Sequence, residues 1–476
     1  MASPSRRLRA DLPFRRIALA LSGGGGLGAY EVGAFRAFEQ AGLEPRIILG
    51  VSVGAINALI WVTHGFESES LRRVWRKLRP PSVGIRWLTL GARSIGAFLL
   101  ALAVLETVLM LADLPELKLG GRIFGAALEW RGMIADGLAW GLVAIAGGLM
   151  LLFSRRLEDA LVKLTPPSDP ERAQRLAAWT LIALAALYPV SYLVPFSWPR
   201  RFHLVLVLLG SAIWLLGRSA RTGGLLRRIL MRALPETGGR GLWRNTARRR
   251  LIDGLLPRNS EALGFDGRTH LILSACEVES GRMHYFVNWS VERGAFRSRI
   301  SAVLGDAVEM RTRKEVLEAA LASSAVPVLF EPVRIRGRHY MDGGVFSNQP
   351  IHAVLADEAD ALLLVLVSPG DTPPRLARDP LLIDVAARLS QLANWRDLQA
   401  ELRALPADWS RDGDPARLCV VEPERGLPGS LLTMDPKITD ELLALGEADA
   451  WRALERAGWL EPVREASTHH AARHPS

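Results

Sequence analysis

Twice within the first 65 residues, a short apolar run breaks into a glycine turn and then into a helical pattern. Residues 17–21 (IALAL) run into Ser22-Gly23-Gly24-Gly25-Gly26-Leu27-Gly28, and a helical stretch follows to about Ala41, where Gly42 stops it. Residues 46–49 run into Gly50-Val51-Ser52-Val53-Gly54, and a second helical stretch covers 55–63. Strand, glycine turn and helix in series are the punctuation of βαβ units, so the expected fold class is α/β with a mainly parallel sheet. The same pattern returns much later. Residues 270–275 (HLILSA) read as a strand, 314–323 as a helix, and 361–367 (ALLLVLV) as a central strand covered on both faces.

The long interval between these halves has a different character. Four charge-poor apolar runs occupy residues 95–112, 137–153, 176–198 and 202–217. A crossing helix needs about 20 apolar residues, and the third run reaches that length. Glu106 is the one charge in the first run and is expected to face other helices or water. Basic blocks bracket the region: residues 72–93 hold seven Lys and Arg and no acid, and residues 218–250 hold ten Arg against Glu236. Together these two blocks exceed the net charge of +10 of the whole chain. A mean hydropathy of +0.15 beside a pI near 10.2 fits a membrane protein better than a nucleic-acid binder, which would be more polar. No nucleic-acid motif accompanies the arginines. The positive-inside rule puts both flanks and the 154–175 loop in the cytoplasm, so an even number of crossings separates the halves. Residues 199–201 make a tight turn, and a re-entrant hairpin there would leave that parity unchanged. No signal peptide is expected at the N-terminus. The only cysteines, Cys276 and Cys419, exclude a disulfide scaffold and a multi-cysteine zinc module, and are expected as buried thiols.

Three segments carry chemistry. Gly50-Val51-Ser52-Val53-Gly54 is a G-x-S-x-G element in a strand–turn–helix setting, where small flanking residues allow a sharp turn. The turn presents the Ser52 hydroxyl at a helix N-terminus, whose partial positive charge favours an alkoxide. The run Gly23-Gly24-Gly25-Gly26 leaves backbone N–H groups uncovered, either as a phosphate cradle or as an oxyanion hole. No Gly-Lys-Ser/Thr follows, so a Walker-type loop fails, and the spacing departs from a dinucleotide fingerprint. A serine nucleophile needs a base. His339 and Asp342 are the candidates. Asp342 is the better one, because Gly343 and Gly344 follow it and leave its carboxylate on an open turn. With a raised pKa in a dry site it can take the serine proton directly.

The glycine run, the Gly50–Gly54 elbow, Ala322-Ser323-Ser324-Ala325-Val326-Pro327, Asp342-Gly343-Gly344 and Asn348-Gln349-Pro350 resemble, in this order, the motifs of the bacterial-type patatin-like phospholipases. The resemblance covers roughly residues 15–80 and 250–370. It implies a three-layer α/β/α domain in two halves, 15–80 and 251–370, interrupted by an all-α membrane insertion at 81–250 and followed by a mostly helical region at 371–476. It implies a Ser52 nucleophile and an Asp342 base. The N–H groups of Gly23, Gly24 and Gly25 would form the oxyanion hole, with Gly50, Gly54, Gly343 and Gly344 in support. No metal and no cofactor are implied. The family has Arg or Lys where this chain has Leu27, which bears on substrate preference. The expected protein is an integral inner-membrane serine hydrolase with its catalytic domain in the cytoplasm, acting on fatty acyl esters of membrane lipids. A non-catalytic membrane scaffold with the same fold is the alternative.

Overall fold

The first apolar runs form strands because no position along them can face water. In β1 (Ile17–Leu21) every residue after the first is buried, and in β2 (Ile47–Val51) every residue is. Strands covered on both faces need such unbroken apolar runs. The structure is a computed structural model, and it describes residues 7–111, 131–164, 240–259, 268–291, 295–302, 305–371 and 382–461. These fall into two compact units, Met1–Val83 with Asn245–Ser476, and Gly84–Arg244.

In chain order, α1 (Ala29–Ala41) follows β1, while α2 (Val53–Thr63) and α3 (Glu69–Lys77) follow β2. The second unit contributes α4 (Trp87–Leu111) and α5 (Arg131–Leu164). The first unit resumes with α6 (Thr246–Leu255), β3 (His270–Glu277), β4 (Met283–Val287), α7 (Ala295–Ala302), β5 (Gly305–Glu309) and α8 (Arg313–Ser323). It ends with β6 (Val333–Ile335), β7 (Arg338–Asp342), α9 (His352–Ala356), β8 (Ala361–Val365), α10 (Leu382–Arg403), β9 (Leu418–Val421) and α11 (Pro436–Arg456).

The strands make one nine-stranded sheet in the order β5-β4-β3-β2-β1-β8-β9, with β7 joined to β3 and β6 to β7. The central pairs β3–β2, β2–β1, β1–β8 and β8–β9 are parallel, as expected for an α/β fold, whereas β4 and β7 run antiparallel to β3. Side chains of Ala20, Leu49, Ile272 and Leu364 fill one core against Ile351 and Val354. Elsewhere Phe35 of α1 stacks on Trp61 of α2 at 4.3 Å.

One register relation positions everything that follows. β3 is longer than β2, and two strands share its edge in succession. Val51, the last residue of β2, lies opposite Ser274, while Asp342, the last residue of β7, lies opposite the next residue, Ala275. β2 runs parallel to β3 and β7 antiparallel to it, so their C-terminal ends meet head to head.

The second unit holds the described part of the expected membrane insertion. Among the described residues, no helix is long and apolar enough to cross a membrane. Side chains are described for 95–101 and 103–104 of the first apolar run and for 141–153 of the second. The side chain of Glu106 and the whole of the runs 176–198 and 202–217 lie outside the described residues. Within the unit, α4 and α5 pack together where Gly96 and Gly147 meet. A Cβ on either would stand 2.7 Å from the other's carbonyl oxygen. Val104, Leu142, Ile145 and Leu152 point outward, each more than half exposed.

Candidate active site

Ser52 sits at the joint between β2 and α2 with φ 55° and ψ −121°, a left-handed conformation that a non-glycine residue adopts only under constraint. The constraint is steric and comes from both sides. A Cβ on Gly50 would lie 2.5 Å from the Ala55 Cα, and one on Gly54 would lie 2.8 Å from the Ser22 carbonyl oxygen. The elbow therefore needs glycine at both places, as the sequence pattern implied.

The head-to-head meeting of β2 and β7 brings Asp342 to Ser52. The Ser52 hydroxyl donates to Asp342 Oδ2 at 2.5 Å, and both side chains are buried. The Gly344 N–H donates to Asp342 Oδ1 at 2.9 Å, which explains part of the need for the Asp-Gly-Gly turn. Burial pushes the Asp342 carboxyl up to about 6. The Ser52 hydroxyl, the Gly344 N–H and the Arg248 charge each oppose that rise. A carboxyl near neutrality is suited to taking and returning a proton.

The glycine loop lies against the same serine: a Cβ on Gly23 would stand 2.9 Å from that of Ser52. Asn348, from the Asn348-Gln349-Pro350 segment, clasps Gly23 twice. Its Oδ1 accepts from the Gly23 N–H at 2.8 Å and its Nδ2 donates to the Gly23 carbonyl at 3.0 Å. This corrects the expected set of three donors, since the Gly23 N–H is already engaged. The Gly26 N–H is engaged as well, donating to the Leu431 carbonyl at 2.7 Å. Gly24 and Gly25 remain, and their N–H groups take no partner among the described residues. The loop can thus present two adjacent amides to an oxyanion.

His339 is not brought to the site; it is half-exposed and paired with Glu279 at 2.6 Å. Leu27 is partly buried at the glycine loop. Both cysteines are free and buried, as expected. Among the described residues, no group of three His, Cys, Asp or Glu side chains is arranged to hold a metal ion.

One residue of the site was not legible as such. Arg248 belongs to the basic block 218–250, and charge counting assigns it to a solvated or membrane-flanking face. In the structure it is 5% exposed, on the same buried face of α6 as Ile252. An arginine four residues before an apolar core position was the available signal.

The segment Ala322-Ser323-Ser324-Ala325-Val326-Pro327 follows from α8, whose start is fixed by a capping box between Thr312 and Glu315. At its far end, Ser323 Oγ accepts from the Ser52 N–H at 3.0 Å and the Ala325 carbonyl accepts from the Asp342 N–H at 3.0 Å. This motif therefore holds the backbones of both polar partners.

The sequence model of the patatin-like phospholipases matches residues 19–355. The crystal structure of VipD from Legionella pneumophila is similar over 95% of this chain and 70% of that one, at 13% identity and a TM-score of 0.34. No curated protein matches the sequence significantly. The family match spans more than half of the chain and includes both the Gly50–Gly54 elbow and the Asp342-Gly343-Gly344 turn. On that basis the chain belongs to the patatin-like phospholipase family.

Proposed function

We propose that this protein is a serine hydrolase that cleaves fatty acyl esters of lipids through Ser52 and Asp342. The observation that carries the reading is the buried 2.5 Å hydrogen bond from Ser52 Oγ to Asp342 Oδ2. Ser52 Oγ attacks the ester carbonyl carbon as its proton passes to Asp342. The carbonyl oxygen becomes an oxyanion, held by the N–H groups of Gly24 and Gly25. Collapse of that intermediate breaks the ester C–O bond. The leaving alcohol or lysolipid takes the proton from Asp342, and the acyl group stays on Ser52. Water then attacks the acyl-enzyme, gives a proton to Asp342, and releases the fatty acid as Ser52 regains its proton.

The substrate class follows from the family and from the apolar surroundings. Val345 and Phe346, directly after the Asp342 turn, are half-exposed, which suits contact with an acyl chain. Membrane attachment is part of the same proposal. The outward Val104, Leu142, Ile145 and Leu152 of α4 and α5 support it, and the basic blocks at 72–93 and 218–250 support a cytoplasmic position for the flanks.

The test is labelling with a fluorophosphonate probe of membranes containing the protein. Wild type is expected to label, and Ser52→Ala to lose labelling together with ester hydrolysis, by at least about a thousandfold. Retained hydrolysis in Ser52→Ala would sink the proposal. A folded wild type that never labels would favour the non-catalytic scaffold, a reading that the uncharged Leu27 at the glycine loop keeps open.

A further inference from the structure

The segment that holds the two backbones is itself held, and by one side chain. Ser323 receives the Ser52 N–H and Ala325 receives the Asp342 N–H, both at 3.0 Å. Between them, Ser324 is gripped by Arg248: Nη1 donates to the Ser324 carbonyl oxygen and, at 2.9 Å, to Ser324 Oγ. Arg248 is immobilised in turn. Its Nη2 donates to Asn245 Oδ1, and its guanidinium lies 3.7 Å from the centroid of the Phe330 ring. Asn245 is tied to Glu331 by its Nδ2 at 2.8 Å and by its N–H at 3.1 Å.

A buried guanidinium is a costly way to fix a loop, since a neutral donor could bind a serine carbonyl. Its charge has a second use: Arg248 holds Ser324, the residue next to the Ala325 carbonyl that binds the Asp342 N–H, and from there it opposes the rise of the Asp342 carboxyl. The other titratable groups around Asp342 are occupied elsewhere. On β3, Cys276 is a buried neutral thiol, and Glu277 is engaged by Arg338 at 2.9 Å and His284 at 3.3 Å. On β7, His339 faces Glu279, and the Tyr340 hydroxyl faces His284. Glu331 acts on Arg248 rather than on Asp342.

We infer that Arg248 is a positioning residue for the Ser52–Asp342 pair: it locks the 323–325 bridge that spaces their backbones, and it keeps a fixed positive charge beside the carboxylate. The inference rests on the reading of Asp342 as the base, but the carboxyl can be observed directly. The experiment is difference infrared titration of the full-length protein, with the Asp342 band assigned by its loss in Asp342→Asn. It is run on wild type, Arg248→Met, Arg248→Gln and Arg248→Lys, each checked for folding by near-ultraviolet circular dichroism. Two neutral variants are used so that one can be read if the other fails to fold. Loss of the cation is expected to raise the Asp342 midpoint. Fluorophosphonate labelling near pH 6 should then slow by up to about tenfold. Arg248→Lys should bring the midpoint back but not the full labelling rate, because a single ammonium cannot reproduce the fork between Ser324 and Asn245. A folded neutral variant with an unmoved midpoint overturns the inference. A wild type that titrates as expected but never labels overturns the hydrolase reading instead, and the infrared midpoints still decide the role of Arg248.

Discussion

At the scale of single residues, the site is a place where the chain accepts unfavourable states. Ser52 is held at positive φ, and Asp342 is buried as a carboxyl that prefers to be neutral. The second cost has a sign that can be measured. The folded carboxyl titrates near 6 and the unfolded one near 3.9, so the folded state holds its proton more tightly. The contribution of this group to stability is full below about pH 4 and is lost as pH rises through 6, by up to roughly 3 kcal/mol. Asp342→Asn cannot ionise, so denaturant unfolding at pH 4 and pH 7 should show the variant gaining on wild type at neutral pH while hydrolysis is lost. A variant no more stable relative to wild type at pH 7 than at pH 4 would contradict this. Activity should follow the opposite limb, with kcat/KM rising through about pH 6 as the base ionises. Gly50→Ala tests the elbow. A methyl 2.5 Å from the Ala55 Cα forces a shift, so a loss of about 1–3 kcal/mol and most of the activity is expected in melting and rate measurements. Ser52, Asp342 and the glycines were legible in sequence because each lies in a short pattern whose chemistry is local. The Asn348–Gly23 clasp and the Arg248 grip were not, since their partners lie 325 and 76 residues away and only the tertiary fold brings them together.

At the scale of elements, the strands buried on both faces were readable and the antiparallel additions were not. β3 and β8 were expected as strands at 270–275 and 361–367, and they form at His270–Glu277 and Ala361–Val365. β5, with the sequence GDAVE, has no apolar run or clean alternation, and it is a strand because β4 offers it an edge. β7 was read for its Asp342 turn and not as a strand; its role comes from the β3 edge. Helix α8 shows how an element end can matter more than its middle. Thr312→Ala removes the capping box far from the site, so a loss of about 1 kcal/mol in unfolding free energy with little change in kcat is expected. Asn348→Ala should show the reverse balance. It frees the Gly23 backbone beside Ser52, and kcat should fall by about tenfold or more, outweighing any loss in melting temperature.

At the scale of the whole molecule, the chain places all of the site in one unit built from two distant stretches. The composition break was read in the sequence at 81–250, and the second unit spans Gly84–Arg244. Apolar runs and basic flanks alone describe a crossing helix and an apolar helix pair alike, so the membrane reading stays part of the proposed function. The turn Pro80–Val83 packs against α6, so the two stretches approach each other at the point where the second unit leaves and returns. Replacing Gly84–Arg244 with a short flexible linker should therefore preserve the sheet, and hydrolysis of a short-chain soluble ester should stay within about tenfold of wild type. Loss of the folded sheet, read by circular dichroism, would show that the first unit depends on the second. The shared edge of β3 also orders events during synthesis. Ser52 leaves the ribosome early, but the strand that delivers its partner ends 290 residues later. A half-made chain, or a fragment cut anywhere before β7, carries the serine without its carboxylate. On the proposed mechanism, no such fragment can activate its serine.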